Sequence, residues 1–220
     1  MPYFKLKKKQ DAGFPPSHLP DPDGLLAVGG EMTESRLLRA YHSGMVYWHH
    51  PLEPVRWWNP DPRLVFFTQA VMLPVSVPGA EYTSRLAQCP EPLLRLCQDH
   101  YNLPGQQGPA WLSDHMVQIF SGLFKKGLLH MQEVWQGPEL VGGFFGVRLG
   151  EICFGEYAVA RAPGADTFAI LHAACHLSQM GVHLIDMQKE TARCSVLEYD
   201  AISRVDYQDR CRSNKAKSPV

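Results

Sequence analysis

LVGGFFGVRLG (140–150), EICFGEYAVA (151–160), RAPGAD (161–166), TFAILHAACHLSQMG (167–181) and VHLIDMQ (182–188) follow one another in this 220-residue chain. The first two runs are rich in Val, Ile, Phe and Tyr, which suit a pleated, half-buried surface, and they flank the turn-prone Leu149-Gly150-Glu151. Pro163-Gly164 then breaks the chain. Asp166 is expected to cap a helix in which Phe168, Leu171 and Cys175, with Ile170, Ala174 and Leu177, recur at three- and four-residue steps. Gly181 should end that helix, and Val182 to Met187 reads as a short buried strand. Hairpin, helix, strand predicts an α/β (α+β) fold. The last strand carries one carboxylate, Asp186, in an apolar run, and Gln188 would face the same side of a regular strand. A strand-borne Asp must be paired, with a buried Arg or a turn amide, or used in chemistry; residue type alone favours pairing.

The bulk properties narrow the class. Hydrophobic residues make up 45% and charged residues 20%, as in globular proteins, and the net charge is −1. No apolar run reaches the length of a membrane span and no signal-peptide core is visible, so the expected setting is cytoplasmic, with no membrane partner. The six cysteines, at 89, 97, 153, 175, 194 and 211, include no CxxC pair, which predicts reduced thiols. At this charge, nucleic-acid binding needs a local patch. The candidates are Lys5 with Lys7, Lys8 and Lys9, then Lys125 with Lys126, then Lys215 with Lys217.

Residues 1–62 read as a small N-terminal domain of turns, prolines and aromatics, and 63–220 as a larger second domain. Leu25 to Gly30 is an apolar run ending in two glycines, without the spacing of a nucleotide loop. Thr33 should cap a helix with Leu37, Leu38 and Tyr41 inward and Gly44 as its stop. The second domain should open with a strand from Leu64 to Phe67, followed by loop through residues 71–90. Pro92 to Tyr101 reads as helix. A further helix should start at Ser113 or Asp114, face Val117, Phe120 and Phe124 inward, and end at Gly127. Leu129–Trp135 and Leu140–Val147 should pair across Gly137-Pro138.

Several constellations invite chemistry. His172, Cys175 and His176 share a helical face, but with no third partner placed by sequence, packing is favoured over a metal. His49-His50 is weaker, because adjacent side chains diverge in extended chain. Cys194 and Ser195, with His183 as base, lack a nucleophile-elbow context. The tryptophans Trp48, Trp57, Trp58 and Trp111 could stack on a base, although single aromatics more often serve the core.

Taken together, several stretches resemble the leucyl/phenylalanyl-tRNA–protein transferases. They are Asp23-Gly24-Leu25-Leu26-Ala27-Val28-Gly29-Gly30, Arg36-Leu37-Leu38-Arg39-Ala40-Tyr41-His42-Ser43-Gly44, and Trp57-Trp58-Asn59-Pro60-Asp61-Pro62-Arg63. Further on come Glu133-Val134-Trp135, Glu139-Leu140-Val141-Gly142-Gly143 with Gly146-Val147, Gly155-Glu156, and Leu184-Ile185-Asp186-Met187-Gln188. The resemblance implies a small N-terminal domain followed by an acetyltransferase-like (GNAT-like) domain, and no cofactor or metal. It implies that Leu or Phe moves from the 3′ end of an aminoacyl-tRNA to the N-terminal α-amino group of a protein beginning with Arg or Lys, marking it for degradation. By the same resemblance, Asp186 and Gln188 would orient the amine and ease its deprotonation, and Glu156 would favour a cationic acceptor. Phe144, Cys153, Ile170 and Leu177 would line the hole for the amino-acid side chain, and Trp48 and Trp111 match aromatics near the terminal adenosine.

The chain departs from the family in places. Val46-Tyr47-Trp48 replaces the usual Phe-Pro-Trp, Tyr157-Ala158-Val159 follows Glu156 where Ser-Met-Phe is usual, Met187 replaces a Cys, and Arg193-Cys194-Ser195-Val196 replaces a Ser-Leu-Gly-Ala loop. Ala70 to Pro78, usually rich in Arg and Lys, holds no basic residue, which predicts weak or relocated tRNA binding. Two rivals are an acyltransferase of the same fold with another donor or acceptor, and a non-catalytic module binding N-termini or tRNA ends. Asp186→Ala is expected to fold and to separate the enzyme from the module.

Overall fold

The computed structural model describes residues 3–7, 13–48, 50, 52–71, 81–101, 111–188 and 197–215. Two sheets organise them. The first comprises β1 (Phe4–Leu6), β2 (Leu25–Gly29), β3 (Val46–Trp48) and β4 (Arg56–Trp58), in the order β1-β2-β4-β3. Helix α1 (Glu34–His42) connects β2 to β3. Its Thr33 hydroxyl accepts from the Arg36 amide at 3.2 Å, and Leu37, Leu38 and Tyr41 are buried, as the sequence predicts.

The second sheet has seven strands: β5 (Arg63–Phe67), β6 (Thr83–Leu86), β7 (Leu129–Gln136), β8 (Glu139–Leu149), β9 (Ile152–Ala160), β10 (Leu184–Gln188) and β11 (Asp200–Ile202). Their order is β11-β5-β10-β9-β8-β7-β6. Its helices are α2 (Glu91–Tyr101), α3 (Asp114–Lys125), α4 (Ala165–Gln179) and α5 (Arg204–Lys215). The β8–β9 hairpin, α4 and β10 are the hairpin, helix and strand read from the sequence, and β9 and β10 pair in parallel.

Three local expectations need correction. Strand β6 lies inside the segment expected to be loop; most of its residues are exposed, so edge pairing with β7 defines it and no apolar alternation reveals it. Helix α3 buries Met116, Ile119, Phe120 and Leu123, while Val117 and Phe124 only flank the core. Helix α4 is capped by Gly164 at φ 74° rather than by Asp166, whose carboxylate accepts from the next amide, Thr167, at 2.8 Å. A left-handed glycine lets the chain turn straight from Pro163 into the helix.

Adjacent glycines let helices cover both faces of β8. A Cβ at Gly142 would stand 2.6 Å from the Ala165 Cβ of α4, and one at Gly143 would stand 2.4 Å from Leu93 Cδ1 of α2. One apolar cluster joins the first sheet to the α2 and α3 side of the second, running from Leu26 and Trp57 through Tyr41 to Phe154 and Tyr207. A second cluster lies under α4.

Candidate active site

Strands β9 and β10 run side by side from Leu184↔Ile152 to Asp186↔Phe154, and then both lose register. On β9, the β8 pairing steps from Phe145↔Tyr157 to Gly146↔Gly155, so Glu156 is the extra residue of a bulge. On β10, the pairing with β5 steps from Asp186↔Val65 to Gln188↔Leu64, and Gln188 adopts φ 67°. The β9–β10 ladder ends at Asp186↔Phe154 although β9 runs on to Ala160, which leaves an opening in the pairing of two parallel strands, a place where α/β sheets commonly bind ligands. Gln188 Nε2 spans the opening to the Gly155 carbonyl at 2.8 Å.

Asp186 lies below this opening, with no exposed surface. Its Oδ1 accepts from Arg63 Nε at 2.8 Å and from the Gln188 amide at 2.8 Å. Its Oδ2 accepts from Arg63 Nη2 and from the Tyr207 hydroxyl, each at 2.6 Å. The pairing expected from residue type is therefore present: the buried Arg is a partner, and the backbone amide is that of Gln188 at the β10 bulge rather than one in a turn. The bulge also breaks the alternation that would align Asp186 with Gln188. Burial opposes the charge on Arg63, and the Asp186 carboxylate with Tyr207 outweighs it, so the guanidinium is held charged beyond its usual range. Burial, then the Asp186 charge, pushes the Tyr207 phenol up, keeping it a donor.

Glu156 is half-buried on the side facing the first sheet. Tyr41 of α1 donates to Oε1, and Tyr47 of β3 donates to Oε2 at 3.0 Å. The Tyr41 ring stacks on Phe154 with centroids 4.3 Å apart. Burial pushes the Glu156 carboxyl up to about 7; the two phenols pull it down and Asp186 adds to the rise.

Phe144, Cys153, Ile170 and Leu177 come together in the cluster under α4. That cluster abuts the opening, since a Cβ on Gly155 would meet Asp186 O at 3.1 Å and Phe144 Cε2 at 3.4 Å. Burial raises the Cys153 thiol, which keeps it protonated. Trp111 packs against Tyr157, two residues beyond Gly155, with centroids 5.4 Å apart. Trp48, which follows Tyr47, is 61% exposed.

Other sequence candidates are dispersed. The His176 ring lies 5.4 Å from His130 of β7, His172 packs on Phe168, and the Cys175 thiol points to the Val71 carbonyl. Among the described residues, no three His, Cys, Asp or Glu side chains converge as a metal site. Five cysteines, at 89, 97, 153, 175 and 211, are free thiols. His183 sits at the far end of β10, 3.8 Å from Glu151, beside a cavity of about 450 Å³ that also includes Asp206 and Arg210. His49, Cys194, Ser195, Lys8, Lys9, Lys217 and 72–80 lie outside the described residues. Lys5, Lys7, Lys125 and Lys215 are exposed, and Lys126 pairs with Glu34.

Arg63, Tyr207, Tyr41 and Tyr47 gained no individual role from the sequence. Arg63 closes the Trp57-to-Arg63 motif, in which Trp57, Asn59, Asp61 and Arg63 each have a long-range partner. Trp57 Nε1 donates to Gly29 O at 2.9 Å, Asn59 Nδ2 to Ser17 O at 2.7 Å, and the Arg204 amide to Asp61 Oδ1 at 3.1 Å. The motif is a junction between the first sheet, the second sheet and α5. Nothing in the local pattern of Tyr207 distinguishes it from a core tyrosine.

The family model for leucyl/phenylalanyl-tRNA protein transferase matches residues 75–212. The chain is 39% identical over 195 residues to the leucyl/phenylalanyl-tRNA–protein transferase of Anaeromyxobacter dehalogenans (strain 2CP-C), covering 87% of this chain and 82% of that one. It is 34% identical over 209 residues to that of Nitrosospira multiformis (strain ATCC 25196 / NCIMB 11849 / C 71), covering 92% and 88%. These relatives define the chain as an aminoacyltransferase. It belongs to the leucyl/phenylalanyl-tRNA–protein transferase family. Among solved structures, a tandem GNAT protein from the clavulanic acid biosynthesis pathway is similar at 12% identity and TM-score 0.43, covering 81% of this chain and 61% of that one.

Proposed function

We propose that the chain transfers Leu, Phe or a related amino acid from the 3′ end of a charged tRNA to the N-terminal α-amino group of a protein beginning with Arg or Lys. The product is marked for degradation, and the setting is cytoplasmic. The observation that carries this reading is the opening between β9 and β10, with Gln188 across it and Glu156 at its rim. The chain divides as residues 1–62, which bring Tyr41 and Tyr47 to Glu156, and residues 63–220, which carry the transfer site.

The donor's amino-acid side chain and the acceptor's side chain take opposite faces of the opening. The donor side chain enters on the α4 side, toward Phe144, Cys153, Ile170 and Leu177. Its adenosine meets Trp48 and Trp111. The acceptor lies on the side of the first sheet, where ionised Glu156 attracts its Arg or Lys side chain. The Gln188 nitrogen is committed to Gly155, which leaves the carboxamide oxygen to accept an N–H of the α-amine. Asp186 acts one step back by fixing Gln188, because its own oxygens are already occupied.

The chemistry asks little of the protein. The ester is already activated, and an α-amine with a pKa near 8 is partly neutral at physiological pH. Its nitrogen attacks the ester carbonyl, an amide bond forms, the ester bond breaks, and the amine proton leaves with the ribose hydroxyl. Holding the reactants together supplies much of the acceleration.

The test mixes pure protein with tRNA carrying labelled Leu, Phe or Met and a peptide beginning with Arg, Lys or Ser. Label on the Arg and Lys peptides alone is expected, with a rate that falls steeply as salt rises. Unlabelled peptide at low salt, with the tRNA still charged, overturns the reading.

A further inference from the structure

We propose that Arg63 and Tyr207 are positioning residues for the transfer reaction, acting through Asp186 to hold Gln188 in its left-handed turn, so that helix α5 is part of the working site. This rests on the reading of Gln188 as the group that meets the α-amine. Asp186 is not exposed, and its two oxygens accept four hydrogen bonds, about as many as a carboxylate can take. No edge remains for a substrate. One of the four donors is the Gln188 backbone amide. A non-glycine residue at φ 67° persists only where its surroundings hold it there. Two contacts hold it: the charge-assisted bond from its backbone amide to Asp186, and its side-chain Nε2 to the Gly155 carbonyl.

Arg63 and Tyr207 fix the carboxylate in turn. The Arg63 guanidinium grips both oxygens, and its Cζ stands 4.4 Å from the centroid of the Tyr207 ring, whose hydroxyl binds Oδ2. Helix α5 is anchored at both ends, which makes that hydroxyl a fixed point. At its start, the Arg204 amide donates to Asp61 and Arg204 Nε to Asn59 O at 3.0 Å. Near its end, Asn214 accepts from the Glu151 amide at 2.7 Å and donates to Leu149 O at 2.8 Å, gripping the β8–β9 turn.

The experiment is steady-state transfer, with charged tRNA and an Arg-initiated peptide, by wild type, Tyr207→Phe, Gln188→Ala and the double variant. Tyr207→Phe keeps the ring against Arg63 and loses only the hydroxyl. Its kcat is expected to fall about tenfold with both KM values within about twofold, and the same change in the Gln188→Ala background is expected to cost nothing further. An undiminished kcat, an equal loss in both backgrounds, or a rise in KM alone overturns the proposal. Arg63→Lys is expected to retain more kcat than Arg63→Met, because an ammonium still meets the carboxylate. Wild type that transfers nothing sinks the underlying reading, whereas active wild type with an indifferent Tyr207→Phe sinks only this proposal.

Discussion

Glu156 is held in its bulge by two phenols, and burial lifts its carboxyl to about 7, above an ordinary value of about 4.3. The fold therefore favours the neutral form. That preference contributes stability fully present below about pH 4.3 and lost as the pH rises through about 7. Urea titrations at pH 5 and pH 8 should show wild type losing stability relative to Glu156→Gln at the higher pH. Ionised Glu156 attracts a cationic acceptor, so KM for an Arg-initiated peptide should fall as the pH rises through about 7, and Glu156→Gln should flatten that fall. The α-amine titrates near 8 and should raise kcat in both proteins. Asp186→Ala, expected from the sequence to fold, would strand the Arg63 guanidinium with no exposed surface. Breaking such a pair costs about 3–5 kcal/mol, which a urea midpoint will report, so Asp186→Asn is the cleaner probe of mechanism.

Strand β8 shows how an element is shaped by what covers it. Its glycines at 142 and 143 lie where α4 and α2 press on opposite faces. Gly142→Ala puts a methyl group 2.6 Å from Ala165 Cβ and 2.8 Å from the Val159 carbonyl, and backbone cannot yield as a side-chain tip can. The variant should lose about 1–3 kcal/mol in urea unfolding. Gly143→Ala first meets the flexible end of Leu93, but it too stands 2.8 Å from a carbonyl, that of Gln132, and should cost a similar amount. The main elements around the site were legible because periodicity and turn residues agree: the Leu149-to-Glu151 turn, α1 between Thr33 and Gly44, and α4 up to Gly181. Strand β6 was not, because backbone pairing with β7 supports it in place of apolar side chains.

The two sheets share one apolar cluster, and Tyr41 crosses from α1 to stack on Phe154 and bind Glu156. A core shared in this way should unfold as a unit. In a Trp111→Phe/Trp135→Phe background, where fluorescence reports only Trp48, Trp57 and Trp58 of the first sheet, fluorescence and far-UV circular dichroism, dominated by the larger sheet and the helices, should give coincident urea transitions. Separated transitions would show that residues 1–62 hold together without the rest. Neither pH profile nor kinetics at the site is expected to be separable from that docking, because Tyr41 and Tyr47 reach Glu156 only when the sheets are joined.

By itself the sequence determined the hairpin, helix and strand, the lone carboxylate on the last strand, and, through its motifs, the family. These are properties of neighbours along the chain, where alternation, turn residues and caps leave local marks. Only the tertiary structure decided what Asp186 faces. Arg63 lies 123 residues before it and Tyr207 21 residues after, and no local pattern records a contact between such partners. The tertiary structure likewise decided that the ladders carry bulges at Glu156 and Met187, where the β9–β10 pairing ends. A bulge is one residue too many against a particular partner strand, and it exists only once that partner is in place.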